Sequence, residues 1–225
     1  MINLEKFKHK SWLDGRIIAI NGDCQEVMAE IGDKEVDLVL TDPPYGLGIS
    51  GQKKSICKNS KHDRKFHEDR GWDKAAPNKN IFDEIFRISN NQIIWGANYF
   101  VEFLTKSFKG WLIWYKGQEG LTMSDCELAY GSFDSPTRIK IINRCELVKD
   151  NTFHPTQKPV ALMAWCLNNY SKENDLIFDA FAGSFTTAIA CIRTKRRFIG
   201  CELDPIYFEK ACERIETELK QLTLF

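Results

Sequence analysis

The sequence predicts an α/β fold: a doubly wound, mostly parallel sheet with helices on both faces. Three observations predict it. Strand-like and helix-like apolar patterns alternate along the chain. Val36-Asp37-Leu38-Val39-Leu40 is a nearly continuous apolar run, as in a strand covered on both faces. Leu176 to Phe181 runs into the small-residue turn Ala182-Gly183-Ser184, then a helix and another strand, which is the order of a ligand-binding βαβ unit.

In chain order, Arg16 to Asn21 reads as a strand and Cys24 to Ile31 as a short helix. Val36 to Leu40 is the buried strand. Residues 46–79 form a long polar stretch with little periodicity, too long for an ordinary connection and therefore expected to be functional or mobile. Asn80 to Ser89 places Ile81, Phe82, Ile85, Phe86 and Ile88 at helical spacing. Gln92 to Trp95 is a short strand, Tyr99 to Phe108 a helix and Trp111 to Tyr115 a strand; residues 117–135 fit neither pattern cleanly. Thr137 to Asn143 alternates as a strand. Pro159 suits the first turn of a helix to Tyr170. Then follow strand Leu176 to Phe181, helix Thr186 to Thr194, strand Arg197 to Glu202 and a long helix from Pro205 to Leu222.

A chain of 225 residues, 43% hydrophobic and 28% charged, can bury a large core, and one domain over residues 1–225 accounts for it. No apolar run approaches the ~20 residues of a membrane helix, and Met1 to Lys10 is polar, so no membrane role and a cytoplasmic location are expected. The eight cysteines are scattered, including Cys24, Cys126, Cys166, Cys191, Cys201 and Cys212, and read as reduced and structural. Net charge is zero, so a nucleic-acid partner needs a local basic surface.

The most informative segment is Thr41-Asp42-Pro43-Pro44-Tyr45-Gly46, directly after the buried strand. An exocyclic amine on a base is a poor nucleophile because its lone pair is delocalised into the ring. The Asp42 carboxylate accepting one N–H, and the Pro43 carbonyl accepting the other, pull the nitrogen towards sp³ geometry. Positioning of this kind supplies ~7–11 kcal/mol of a barrier in favourable cases. Pro43 and Pro44 fix two φ angles and remove two donors. Tyr45 offers a face for stacking on an extruded base, and a base inside a duplex must flip to reach it. The bare tetrapeptide also reads as a turn; its place after a buried strand and before glycine favours the catalytic reading.

The second corner is Asp179-Ala180-Phe181-Ala182-Gly183-Ser184, with Glu202 at the end of the next strand, where an acid commonly binds ribose hydroxyls. Asp204 can help it or cap the last helix. His154-Pro155-Thr156-Gln157-Lys158-Pro159 precedes the helix leading into this unit. Lys158 can pair with a carboxylate and Thr156 can donate a hydrogen bond, or the segment is an ordinary loop.

Together these motifs resemble the amino-group DNA methyltransferases that use S-adenosylmethionine, in the permuted "beta" order: Asp-Pro-Pro-Tyr first, then His-Pro-Thr-Gln-Lys-Pro, then the Asp-x-Phe-x-Gly-Ser turn. The resemblance covers nearly the whole chain. It implies a seven-stranded, Rossmann-like methyltransferase sheet with circularly permuted motifs. It implies catalysis by Asp42, Pro43, Pro44 and Tyr45. It implies cofactor contacts from Asp179, Phe181, Gly183 and Ser184, from Glu202 on the ribose and from Lys158 near the methionine carboxylate. Asp23 resembles the acid near the cofactor adenine, and reads equally as a helix N-cap. Aspartate in the first motif position goes with N6 of adenine. Two positions depart from the family pattern: Phe185 stands where a glycine is usual, and Ala180 where a proline is usual. Either Phe185 turns into the core or cofactor affinity suffers.

Lys53, Lys54, Lys58, Lys61, Arg64 and Lys65, against the single acid Asp63, are expected to grip DNA phosphates beside the flipped base. Cys57, His62 and His67 share that loop at spacings that match no common zinc site, so no metal is expected. Only residues 116–153 are available for target recognition, so that insertion is small at most, and a second subunit forming a homodimer is a candidate to help hold DNA. A partner restriction nuclease stays open. Two rival readings also stay open: the same chemistry on cytosine N4 or RNA, and a DNA-binding protein impaired by Phe185.

Overall fold

A computed structural model of the chain describes residues 2–48, 71, 73–104, 109–119, 124–143 and 152–222. Among these, nine strands form one sheet: β1 (Lys8–Trp12), β2 (Ile17–Asn21), β3 (Val36–Thr41), β4 (Ser89–Trp95), β5 (Leu112–Tyr115), β6 (Cys126–Gly131), β7 (Arg138–Ile141), β8 (Leu176–Asp179) and β9 (Arg197–Glu202). Their order across the sheet is β1-β2-β9-β8-β3-β4-β6-β5-β7. Neighbours from β2 to β4 are parallel, as are β5 and β7, while β1 on β2 and β6 on both β4 and β5 are antiparallel.

Two strands go beyond the expected seven. β1 is a polar edge strand, Lys-His-Lys-Ser-Trp, with no fully buried residue to mark it. β6 lies in the stretch 117–135 that fits no clean pattern; Glu127 and Gly131 dilute its strand signal. The predicted helix from Tyr99 is replaced by two 3-10 turns, Ala97–Tyr99 and Val101–Phe103. Phe100, at φ −126° between them, is buried with its ring 5.1 Å from Phe82. That packing overrides the helical spacing of Tyr99, Phe100, Phe103 and Leu104.

Period-two alternation sends side chains to two cores. Ile17, Ala19, Leu38, Leu40, Ile93 and Trp95 face α3 (Val160–Tyr170), α4 (Thr186–Thr194) and α5 (Pro205–Leu222). Ile20, Val39, Ile94 and Phe178 face α1 (Cys24–Ala29) and α2 (Lys79–Ile88). Burial on both faces explains the nearly continuous apolar run of β3. Caps set the helix starts. Asn78 accepts from the Ile81 amide at 3.4 Å, and Asp204 accepts from the Ile206 and Tyr207 amides at 2.7 and 3.1 Å. Pro159 is the N-cap of α3 rather than its first turn. No helix among the described residues is long and apolar enough to cross a membrane.

The consequence for function is the adjacency of β3 and β8, paired in parallel at Leu38↔Ile177 and Val39↔Phe178. Their carboxyl ends therefore lie side by side, although their sequences are far apart.

Candidate active site

The Asp42 and Gly183 corners share one cleft of about 230 Å³ at the carboxyl edge of the sheet. It is lined by Asp42 and Pro44 on one side and by residues 179–184 with Glu202 on the other. One buried carboxylate fastens the two sides together. Asp179 at the end of β8 accepts from the Thr41 hydroxyl at the end of β3 (2.7 Å) and from Thr187 in α4 (2.7 Å). It also accepts from the Phe181 amide at 3.2 Å. Burial pushes its carboxyl up to about 6 against these hydrogen bonds. Asp179 lines the cleft, but its oxygens are engaged with protein, so its direct work is to join the corners.

In the cofactor corner, Gly183 adopts φ +50°, the left-handed region that favours glycine. Its N–H donates to Glu202 Oε2 at 2.9 Å, and the Asp204 amide donates to Glu202 Oε1 at 2.8 Å. Burial pushes the Glu202 carboxyl up to about 7, with those two amides pulling the other way. Ser184 and Phe181 line the cleft. Asp23 caps α1, accepting from the Gln25 amide at 2.7 Å, and it also lines the cleft. His154 stacks edge-on against Tyr207 at 4.6 Å, and its Nδ1 is 3.4 Å from the Thr156 amide.

Phe185 answers its own question. It takes φ +54°, ψ +36° as the residue before α4, and its ring is fully buried against Phe198 and Phe208 at 6.0 and 6.4 Å. It is not among the cleft-lining residues. The left-handed backbone costs ~1–2 kcal/mol for a non-glycine residue, and burial of the ring more than offsets it.

The catalytic corner is denser in charge. Asp42 Oδ1 accepts from the Tyr45 hydroxyl at 2.6 Å, and Oδ2 accepts from the Lys158 ammonium. Lys158 is only 7% exposed and Asp42 19%. Burial alone lowers the Lys158 pKa, but the Asp42 and Glu127 carboxylates outweigh it and hold the ammonium well above its usual range. Burial pushes Asp42 up while Lys158 pulls it down, with a net upward shift. Tyr45 is raised well above its usual value, chiefly by burial, and stays a neutral donor. Lys158, expected near the cofactor, lines the cleft with its ammonium on Asp42.

Sequence reasoning missed three partners of this corner. Tyr99 stacks on Tyr45 with centroids 4.6 Å apart and planes 16° apart. Gly96, at φ +67°, gives Tyr45 room: a β-carbon there would sit 2.0 Å from Tyr45 Cε1. Glu127, on β6, ion-pairs with Lys158 at 3.0 Å and with Lys116 at 2.6 Å. The Trp-Gly-Ala-Asn-Tyr run after β4 carried a signal, a glycine and aromatics at a strand end; Glu127 carried none.

The expected DNA contacts Lys53, Lys54, Lys58, Lys61, Arg64 and Lys65 lie outside the described residues, as do Cys57, His62 and His67. The two ends of that stretch are pinned together where they are described. The Gly46 amide donates to Asp73 Oδ1 at 2.8 Å and the Gly48 amide to the Asp73 carbonyl at 3.0 Å.

The cleft suits a cationic ligand that bears hydroxyls. Among the described residues, Asp23, Asp42, Asp179 and Glu202 line it with one ammonium, that of Lys158, and Ala180, Phe181, Ala182 and Met163 supply apolar surface.

Comparison with known proteins gives the same picture. The DNA methylase family model matches residues 55–213. The type II methyltransferase M2.DpnII of Streptococcus pneumoniae is 26% identical over 253 residues, covering 90% of this chain and 91% of its own. The M1.HpyAVI–SAM complex superposes with a TM-score of 0.61 at 21% identity, covering 88% of this chain and 98% of the other. PvuII DNA methyltransferase, cytosine-N4-specific, superposes with a TM-score of 0.61 at 15% identity, covering 91% and 90%.

Proposed function

The chain belongs to the DNA methylase family, with S-adenosylmethionine as cofactor and DNA as substrate, and from that premise we propose that it methylates N6 of adenine in a short DNA sequence after flipping the base. The observation that carries this reading is the shared cleft: Asp42, at the end of β3, opens onto the same cavity as Gly183 and Glu202.

In this reading Glu202 and Asp23 accept hydrogen bonds from the hydroxyl and amine groups of the cofactor, and the Gly183–Ser184 turn gives close backbone approach. When bound, the cofactor supplies an electrophilic methyl group on a cationic sulfur. Asp42 takes one N–H of the target amine in exchange for one of its present partners, and the Pro43 carbonyl takes the other. The upward-shifted Asp42 carboxyl suits the acceptance of a proton as the nitrogen bonds to carbon. Tyr45, braced by Tyr99 and given room by Gly96, supports the ring of the base. Lys53, Lys54, Lys58, Lys61, Arg64 and Lys65 grip the phosphates. A second copy of the chain helps hold DNA, since little of residues 116–153 is left for recognition, and a restriction nuclease is the natural counterpart of such an enzyme.

The test is direct. Duplex DNA incubated with the protein and labelled cofactor is digested to nucleosides. N6-methyladenine supports the reading; N4-methylcytosine replaces it with the chemistry named for the PvuII enzyme; label in RNA alone refutes a DNA substrate. Light scattering with DNA present separates a dimer from a monomer.

A further inference from the structure

Lys158 is a buried ammonium held between two carboxylates, and only one of them belongs to the motif. Asp42 Oδ2 is the first. The second is Glu127 Oε2, 3.0 Å away. Glu127 reaches the corner because β6 pairs with β4 (Trp95↔Ala129), and the Gly96 amide donates to the Leu128 carbonyl at 2.8 Å. Its other oxygen is 2.6 Å from Lys116 Nζ, which in turn lies 5.1 Å over the Trp114 ring. The result is a row of alternating charge: Asp42, Lys158, Glu127, Lys116.

One atom in this row stands out. Glu127 Oε2 is buried and, among the described residues, makes no hydrogen bond, although an ammonium faces it. Buried carboxylate oxygens are rarely left so. The partners of Asp42 give the reason. Both of its oxygens are taken, one by Tyr45 and one by Lys158. Each oxygen keeps a second lone pair, but an amine that gains positive charge as it is methylated is opposed by a full ammonium on the same carboxylate, so docking competes with these partners. Tyr45 is fixed by Tyr99 and Gly96, so Lys158 is the partner that gives way. A buried ammonium that loses its only counter-charge is strongly unfavourable; one that moves a short distance onto a waiting carboxylate is not.

We propose that Glu127 is a positioning residue of the reaction: it receives Lys158 when Asp42 exchanges that ammonium for the amine of the base. Glu127 touches neither base nor cofactor. It acts by keeping the release of Asp42 from being opposed by an unpaired charge. This rests on the methyl-transfer reading above.

The full chain is assayed on duplex DNA as wild type, Glu127→Gln, Glu127→Asp, Lys158→Met and the double variant Glu127→Gln/Lys158→Met. With no carboxylate to move to, Lys158 stays on Asp42 in Glu127→Gln. Its kcat is expected to fall about tenfold or more, with KM for DNA and the cofactor Kd within about threefold. Glu127→Asp recovers part of the loss and carries the test should Glu127→Gln not fold. Glu127→Gln adds nothing further in the Lys158→Met background. Thermal unfolding of the ligand-free proteins gives a readout independent of turnover: the double variant melts above Lys158→Met, because Asp42 and Glu127 no longer face each other without the ammonium between them. An active wild type with kcat unchanged by Glu127→Gln, or with equal losses in both Lys158 backgrounds, overturns the hand-off alone. A wild type that transfers no methyl group to DNA overturns the functional reading and the hand-off with it.

Discussion

Around Gly183 the groups facing the cleft come largely from one βαβ stretch, residues 179–204, and several act through backbone amides. Around Asp42 they are side chains drawn from segments up to 116 residues apart, and they act through charge. The first corner is assembled as soon as its local unit folds. The second exists only after β6 has paired with β4 and α3 has packed beneath the sheet. The parts of this site held by backbone amides, which keep their donors whatever side chain stands beside them, are robust to change nearby, whereas a chain of ion pairs is not.

Three substitutions test that contrast, from the largest effect to the smallest. Asp42→Ala removes the acceptor of the amine and one counter-charge of Lys158. Methyl transfer is expected to fall by about 10³-fold or more, while calorimetry finds cofactor affinity within about twofold, because the Gly183 amide, Glu202 and Asp23 are untouched. A matching loss of cofactor affinity would show that the corners are not separable. Phe185→Gly restores the glycine usual in the family and removes a fully buried ring. Relief of the left-handed strain offsets only part of a loss of about 3–5 kcal/mol, so denaturant unfolding should show about 2–3 kcal/mol of destabilisation. Cofactor affinity is expected to stay within about threefold, since the ring is turned away from the cleft. A large gain in affinity would mean that Phe185 obstructs the ligand.

Glu202→Gln has the smallest effect and a sign set by pH. The Glu202 carboxyl is raised by burial to about 7 in the folded protein. A raised carboxyl stabilises the fold fully below its unfolded pKa, near 4.3, and loses that contribution as pH rises through the folded value. At pH 8 the ligand-free wild type therefore keeps a buried ionised group that the glutamine variant lacks. Urea unfolding should find Glu202→Gln more stable by about 1–2 kcal/mol at pH 8, with the difference shrinking as pH falls through about 7 and vanishing below about pH 4. The same variant binds cofactor more weakly. Equal stability at both pH values would show that Glu202 is solvated in the free protein.

The same contrast explains what could be read in the sequence. β3 and its Asp-Pro-Pro-Tyr ending, the β8 turn and helix α5 were legible because continuous apolar runs, a proline pair and a capping aspartate mark them locally. The core-facing Phe185 was legible as one of two alternatives, and only the packing against Phe198 and Phe208 chose between them. The partners of Asp42 were less legible. Lys158 was recognised as a cation in search of a carboxylate, but nothing in its neighbourhood named Asp42. Glu127 sits in a strand whose composition hides it, and Tyr99 reads as the start of a helix that tertiary packing replaces with turns.

Asp179 carries one more implication. Because that carboxylate, at the end of β8, ties Thr41 at the end of the neighbouring β3 to Thr187 in α4, the distance between the group that is to be modified and the group that gives the methyl is set by sheet adjacency, not by the route the polypeptide follows. Re-threading the chain with new ends would leave the chemistry intact as long as those two strands remained side by side, so the order in which the motifs are written along a gene is free to vary.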